Sequence, residues 1–461
     1  MADYYVWSGA TGAANGSSWA DAYTSLISAL AGATGAGPHN ILVDSALNQS
    51  VTSANVALDA ATSGATINVI SVDRGGRTTG TGTDGYKAGA AISVGTNAFG
   101  LTIATARSQT LNIFGLTITG NSGNSASNVF NLASPTASGI VVTLRMDSCT
   151  LSCPGSSTSA LFQVGPSIAA AYAMPVVSLR SCSFALPNRS TGSGISLRGA
   201  RVFASGITIS YGGASKPTSL FTSDAQTSAN VVDIRDSDLS GFNTSGGNYV
   251  LLTNIGHQIT FTNCKLSATP GLTTGTWPSD LGSVTWINSD SGDTRIVYRY
   301  ENQLGTLTHD ATYYRSSGAK MWASGIGWKL VTTASCGESK PFVTPWLRRA
   351  LTTSGVSTTF GVEVQRATSL PTDREMWLQV STISDASFPL GTLASTRNAS
   401  PFIGTGSTLT SSSQTWAGSL SGGVTGKMTV TATPQEVSLI EARVMYGVAS
   451  STIYIDPCLT I

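Results

Sequence analysis

Apolar and small residues recur along the middle of the chain in one short pattern. It is carried by residues 113–118, 146–151, 179–184, 204–209, 234–239 and 261–266. Each stretch opens on an apolar or small residue (Ile113, Met146, Leu179, Ala204, Ile234, Phe261) and closes on an apolar one (Ile118, Leu151, Phe184, Ile209, Leu239, Leu266). The position three after the start is Leu116, Cys149, Cys182, Ile207, Ser237 and Cys264, small or apolar every time. The closing residues are spaced by 33, 33, 25, 30 and 27. A short motif repeating at an irregular period of this size predicts a solenoid, in which each repeat buries its apolar face against its neighbours. The stretches are rich in Thr, Val, Ile and Ser and are followed by turn residues, so the repeating unit reads as a strand. The pattern predicts an all-β chain whose residues 37–290 form a right-handed parallel β-helix with loops of variable length between coils.

Either side of this stretch the pattern changes. Trp19, Tyr23, Leu26, Ile27 and Leu30 share one helical stripe, predicting a capping helix within residues 1–36 with Ser18 as its N-cap. The open end of a solenoid is the apolar surface such a helix would cover. Residues 291–335 are richer in aromatics and charge (Tyr298, Arg299, Tyr300, Glu301, Tyr313, Tyr314, Arg315) and read as a connector. Beyond it, Phe360, Val362 and Val364 alternate with polar residues, as do Met376, Leu378 and Val380, and Ile440, Ala442, Val444 and Tyr446. Alternation at this spacing, with Ser/Thr/Gly turns, predicts an antiparallel β-sandwich over residues 336–461.

Composition narrows the function classes. Charged residues make up 11% of the 461 residues and the net charge is +1, so no whole-chain field draws in nucleic acid or an anionic membrane. No apolar run approaches the roughly 18 residues of a membrane-crossing helix. The opening Met-Ala-Asp-Tyr-Tyr-Val-Trp lacks the basic and apolar regions of a secretory signal, so most of the six cysteines are expected as thiols in a reducing compartment. Cys149, Cys182 and Cys264 share one phase of the repeat and are expected as an inward stack. No short-range pairing of Cys or His suggests a metal, with His39, His257 and His309 isolated, and no cofactor motif occurs in a convincing context.

Candidate chemistry is sparse. Asp233, Asp236 and Asp238, with Arg235 among them, form the densest carboxylate group of the repeat region. On one strand, Asp236 and Asp238 would share a face about 6.6 Å apart. Glycan-cleaving sites hold two carboxylates roughly 5 to 9 Å apart. The same aspartates also read as ordinary turn residues. Asp224, Glu301 and Asp310 are weaker candidates, and Asn288, Asp290, Gly292 and Asp293 resemble a fragment of a calcium loop that Arg299 fails to close. Trp277, Trp286, Tyr298 and Tyr300 would either stack on sugars or pack at a domain junction. Asp147 and Arg180, one place after successive repeat starts, would pair across adjacent coils.

Both ends of the chain resemble a known group. Residues 3–6 and 17–19, then Asn40-Ile41-Leu42-Val43 and Ile70-Ser71-Val72-Asp73-Arg74, resemble the cap and first coils of tailed-bacteriophage virion proteins built on a β-helix. Residues 375–380, 433–436, 441–444 and 453–457 are similar to the terminal β-domain of the same proteins. The resemblance implies a homotrimeric, non-enzymatic structural spike, fibre or decoration protein of the virion. Its partners would be other virion proteins, foremost the major capsid protein, and host glycan. Two alternatives follow from the same resemblance: a tailspike that binds or depolymerises host surface polysaccharide, and a non-catalytic glycan-binding adhesin. It supplies no catalytic residue.

Overall fold

The structure is a computed structural model. It describes residues 2–51, 56–59, 61–76, 85–94, 101–103, 107–120, 130–132, 139–153, 160–165, 174–186, 188, 191–211, 215–223, 230–253, 257–275, 277, 282–292, 294–310, 327–337, 340–345, 347–350, 358–366, 376–384, 395–396, 403–404, 407–420, 423–434 and 438–458. Between 348 and 442 it describes the strand backbone and the Val362 side chain. The chain divides into two units, Met1–Val297 and Tyr298–Ile461.

In the first unit the chain visits three parallel sheets in rotation. One coil runs through Gln109–Phe114, Thr117–Thr119 and Phe130–Leu132, and the next through Val142–Asp147, Thr150–Ser152 and Phe162–Val164. Each strand pairs in register with its equivalent one coil away. This is the arrangement of a parallel β-helix, and the repeat marks its register. Tyr4, Ile41, Val69, Ile113, Met146, Leu179, Ala204, Ile234, Phe261 and Trp286 stand on successive rungs of the first sheet. The closing residues Ile118, Leu151, Phe184 and Ile209 form an equivalent column on the second sheet. A third column, Phe130, Phe162, Ile195, Phe221 and Val250, lines the third sheet. Apart from Tyr4, which is partly buried and packs against them, these residues are buried and belong to one continuous hydrophobic cluster. At one end Trp286 lies flat on Phe261, with ring centroids 4.1 Å apart and planes 6° from parallel.

The corner between the first and second sheets is built by two further columns. Gly115, Ser148, Ser181, Gly206, Asp236, Asn263 and Asn288 all adopt left-handed backbone, with φ between 46° and 69°. Gly115 and Gly206 reach this conformation without a Cβ clash, and Asn and Asp tolerate it. One residue further, Leu116, Cys149, Cys182, Ile207, Ser237, Cys264 and Ser289 turn inward and are buried. Where this residue carries an X–H group, it donates to the carbonyl two residues before it: Cys182 Sγ to Arg180 O at 3.2 Å, Ser237 Oγ to Arg235 O at 2.7 Å, Ser289 Oγ to Ile287 O at 3.1 Å. Small thiols and hydroxyls therefore fill the corner and satisfy its backbone at once. All six cysteines are free.

The helix is shorter and later than the stripe predicts. It spans Leu26–Gly32, and its N-cap is Ser25, whose side chain accepts from Ser28 N. Ser18 instead accepts from the amide of Asp21 in a turn, and Tyr23 bridges to Val6 in strand pairing. Strand pairing of Tyr23 therefore displaces the first predicted turns. Leu26, Ala29 and Leu30 still join the main core.

In the second unit all described pairings are antiparallel except that of Met376–Ser384 with Ile403–Gly404. One sheet joins Gly305–Asp310, Gly327–Thr332, Thr452–Ile455, Thr358–Arg366, Gly423–Pro434 and Ser407–Leu420. Another centres on Ser438–Tyr446 between Met376–Ser384 and the strands Phe342–Val343 and Leu347–Ala350. Leu307, Leu330, Val362 and Ile455 from the first share a core with Phe342, Leu347, Val444 and Tyr446 from the second. Within residues 291–335, the strands Gly305–Asp310 and Gly327–Thr332 pair into this sheet and place Leu307 and Leu330 in its core. Tyr313, Tyr314, Arg315, Glu375, Gln435 and Glu436 lie outside the described residues.

Leu151 is fully buried in the second-sheet column. Leu151→Ala is expected to lower the unfolding free energy by about 2–5 kcal/mol, read by urea denaturation. Contact with Cys182 and burial push the Cys149 thiol up, and burial raises that of Cys264 to about 11. Among the cysteines only Cys458 is partly exposed. Iodoacetamide at neutral pH is therefore expected to modify Cys458 alone in the native protein and the other five only after denaturation, read by peptide mass spectrometry.

Candidate functional site

The residues that alternate with the core columns face outward on the first sheet. One outward column runs Asp3, Asn40, Asn68, Asn112, Arg145, Ser178, Phe203 and Asp233 on successive rungs. Its first part is a chain of amide hydrogen bonds. Asn112 Nδ2 donates to Asn68 Oδ1 at 2.7 Å, Asn68 Nδ2 to Asn40 Oδ1 at 2.8 Å, and Asn40 Nδ2 to the Asp3 carboxylate at 2.8 Å. In-register stacking makes this possible, since identical amides one strand spacing apart bond head to tail. The chain ends at Asn112, whose buried Oδ1 has no hydrogen-bond partner, and the next rung is Arg145.

The parallel outward column runs Tyr5, Leu42, Ile70, Phe114, Asp147 and Arg180. Tyr5, Leu42 and Ile70 are buried in a small apolar cluster against which Trp7, Trp19, Tyr86 and Phe114 pack. That cover ends at the Tyr86 and Phe114 rings, 4.8 Å apart and tilted by 40°. Past them the column becomes charged, and Asp147 and Arg180 meet at 3.8 Å across adjacent coils, as their spacing predicts. A groove of ≈ 670 Å³ lies at this transition. Asn40, Asn68 and Asn112 line it together with Tyr86, Phe114, Arg145, Asp147, Ser178 and Arg180. It therefore offers amides, two aromatic rings, two guanidinium groups and one carboxylate along one face of the first sheet.

The carboxylates singled out from sequence are placed elsewhere and apart. The strand Val231–Arg235 ends before Asp236, which occupies the left-handed corner, so Asp236 and Asp238 do not share a strand or a face. Asp233 is held by Arg235, whose Nε donates to both carboxylate oxygens at 2.9 and 3.0 Å. Asp236 accepts from Asn263 Nδ2 at 2.9 Å, and Asn288 extends that line by donating to Asn263. Asp238 pairs with Lys265 Nζ at 3.0 Å. Its partial burial works against the charge, but hydrogen bonds from Ser240 and Lys265 outweigh this and hold its pKa below the usual carboxylate range. Asp224 and Asp293 lie outside the described residues, as does the Asp310 side chain, and Glu301 is buried against Arg299. Asn288, the start of the calcium-like fragment, belongs to the corner ladder and accepts from Arg295.

Of the two readings of the aromatics, packing is the one the side chains follow. Trp286 is fully buried, Trp277 packs against the same cluster, Tyr298 stacks on Trp328 and Tyr300 meets Phe342 edge-on. Nor is His257 isolated: its Nδ1 lies 2.6 Å from Ser223 Oγ in a buried node that Asn230 completes. Among the described residues no group of His, Cys, Asp or Glu could hold a metal ion. The groove went unseen in sequence because Asn40, Asn68 and Asn112 precede the apolar positions of their coils at irregular spacing. Only knowledge of the register aligns them.

No protein-family model matches the chain, and no curated protein matches it. Among solved structures it is similar to the enzymatically active domain of tailspike protein 4 of bacteriophage CBA120. That match has a TM-score of 0.25 and 10% identity, over 95% of this chain and 67% of the other. At this level it carries no argument about a site. It does correct one expectation. The neighbour is described as enzymatically active, so the non-enzymatic reading is not carried forward.

Removing the middle amide of the ladder strands two partners, Asn40 Oδ1 and Asn112 Nδ2. Asn68→Ala is expected to cost about 1–3 kcal/mol of unfolding free energy. Chemical denaturation checks this, and a loss indistinguishable from zero would mean that the ladder is not formed.

Proposed function

We propose that the chain is a spike-like β-helix protein of a phage particle and that the groove on its first sheet engages a surface polysaccharide. The observation that carries this is the groove's lining: a hydrogen-bonding amide ladder beside the exposed end of an aromatic pair. Sugars present hydroxyls around their edge and C–H groups on their faces, and this surface offers partners for both. The floor is a stack of paired strands, so little ordering is needed on binding. The resemblance of both chain ends to phage virion proteins supports the location.

Finer features belong to the same reading. The crossovers are right-handed, as crossovers between parallel strands nearly always are. Residues around the helix Leu26–Gly32 cap the stack, and the two sheets of the second unit form a sandwich. The particle carries the protein as a homotrimer attached to other virion proteins such as the major capsid protein. Cleavage of the bound glycan is part of what must be measured, since the groove holds one carboxylate, Asp147, where a two-carboxylate mechanism needs a pair.

The test is binding of the purified chain to polysaccharides from candidate host surfaces, with reducing ends followed over time. Native protein is expected to bind, and Tyr86→Ala to weaken binding by about tenfold, the cost of a lost ring contact. Binding unaffected by both Tyr86→Ala and Phe114→Ala would place glycan recognition elsewhere.

A further inference from the structure

The charge of the groove is unbalanced in a specific way. Two arginines line it against one aspartate. Arg180 and Asp147 are paired. Arg145 is exposed and makes no ion pair among the described residues, whereas two other outward arginines of this sheet do: Arg235 is held by Asp233 and Arg180 by Asp147. Its neighbours along the outward column are neutral, Asn112 on one side and Ser178 on the other. The amide ladder leads to it and ends there, with Asn112 Oδ1 lacking a donor. The Tyr86 and Phe114 rings border the same groove.

From this juxtaposition we infer that the groove selects an anionic sugar, one carrying a carboxylate, with Arg145 as the group that reads the charge. This rests on the groove being a glycan site. A guanidinium presents N–H donors in a planar fork that matches the two oxygens of a carboxylate, which a neutral hydroxyl cannot use in full. With the carboxylate on Arg145, the sugar face meets the aromatic pair and its hydroxyls reach Asn112 and Ser178. The Asp147 carboxylate lies 3.8 Å from the Arg180 guanidinium, which offsets part of its repulsion of such a ligand.

The experiment uses the full chain on an array of acidic and neutral bacterial polysaccharides, including a polyuronate and dextran, at low and high salt. Arg145→Gln, Arg145→Lys and Tyr86→Ala are compared, with thermal melting as a folding control. The expected result is binding to acidic polymers that weakens as salt rises. Arg145→Gln should lower that binding by about tenfold or more, and Arg145→Lys should restore part of it. Equal binding of neutral and acidic polymers, unchanged in Arg145→Gln but lost in Tyr86→Ala, would overturn the anionic selectivity while leaving the groove as a glycan site. Binding of no polymer at all would overturn both.

Discussion

In-register parallel pairing between successive coils is the interaction on which the first unit depends. Each rung places a residue one strand spacing from its equivalent on the next rung, so every position becomes a column. Apolar columns from Tyr4 to Trp286, Ile118 to Ile209 and Phe130 to Val250 make the core. The same geometry that stacks Leu on Phe inside stacks Asn on Asn outside. A one-residue slip in a coil that carries Asn40, Asn68 or Asn112 would send its apolar set outward and break the amide ladder in the same step. Core and groove are therefore two consequences of one register.

The corners show how a solenoid of irregular period keeps that register. Loop lengths differ from coil to coil, but from the strand Gln109–Phe114 onward the turn between the first and second sheets does not, in contrast to the long connection from Val72 to Ala91. In these coils it uses one left-handed residue and then one inward residue that is small or apolar. A β-branched side chain at Ser181 would meet the steric barrier that left-handed backbone imposes. The thiols and hydroxyls beneath accept a similar restriction in exchange for a bonded carbonyl. In these later coils variation is thus confined to the other connections, where it does not disturb the columns.

Much of this was legible in the repeat. The apolar start and close of each motif, and the shared phase of Cys149, Cys182 and Cys264, correspond to columns of the fold, because period-two alternation and burial leave a direct mark on residue choice. The third sheet left a weaker mark. Its strands are short, as with Phe130–Leu132, and the connections reaching it vary in length. The helix starts later than its stripe because Tyr23, although it fits the helical spacing, pairs with Val6 instead. Asp233, Asp236 and Asp238 looked like one site because adjacency along the chain was taken for a shared face, and the corner at Asp236 turns them onto different faces. The groove needed the opposite insight, that residues as distant as Asn40, Asn112 and Arg145 are neighbours.

The register itself is most directly tested by disulfide trapping on the outer face. Ser178 and Phe203 are partners on adjacent rungs, whereas Ser205 lies two residues further along its strand. The double variant Ser178→Cys with Phe203→Cys is expected to close a disulfide readily on mild oxidation, since cross-strand partners fall within the roughly 4.4–6.8 Å Cα separation such a bond requires. Ser178→Cys with Ser205→Cys, offset along the strand, is expected to stay reduced under the same conditions. Efficient closure of the offset pair and not of the matched one would contradict the stack and, with it, the groove.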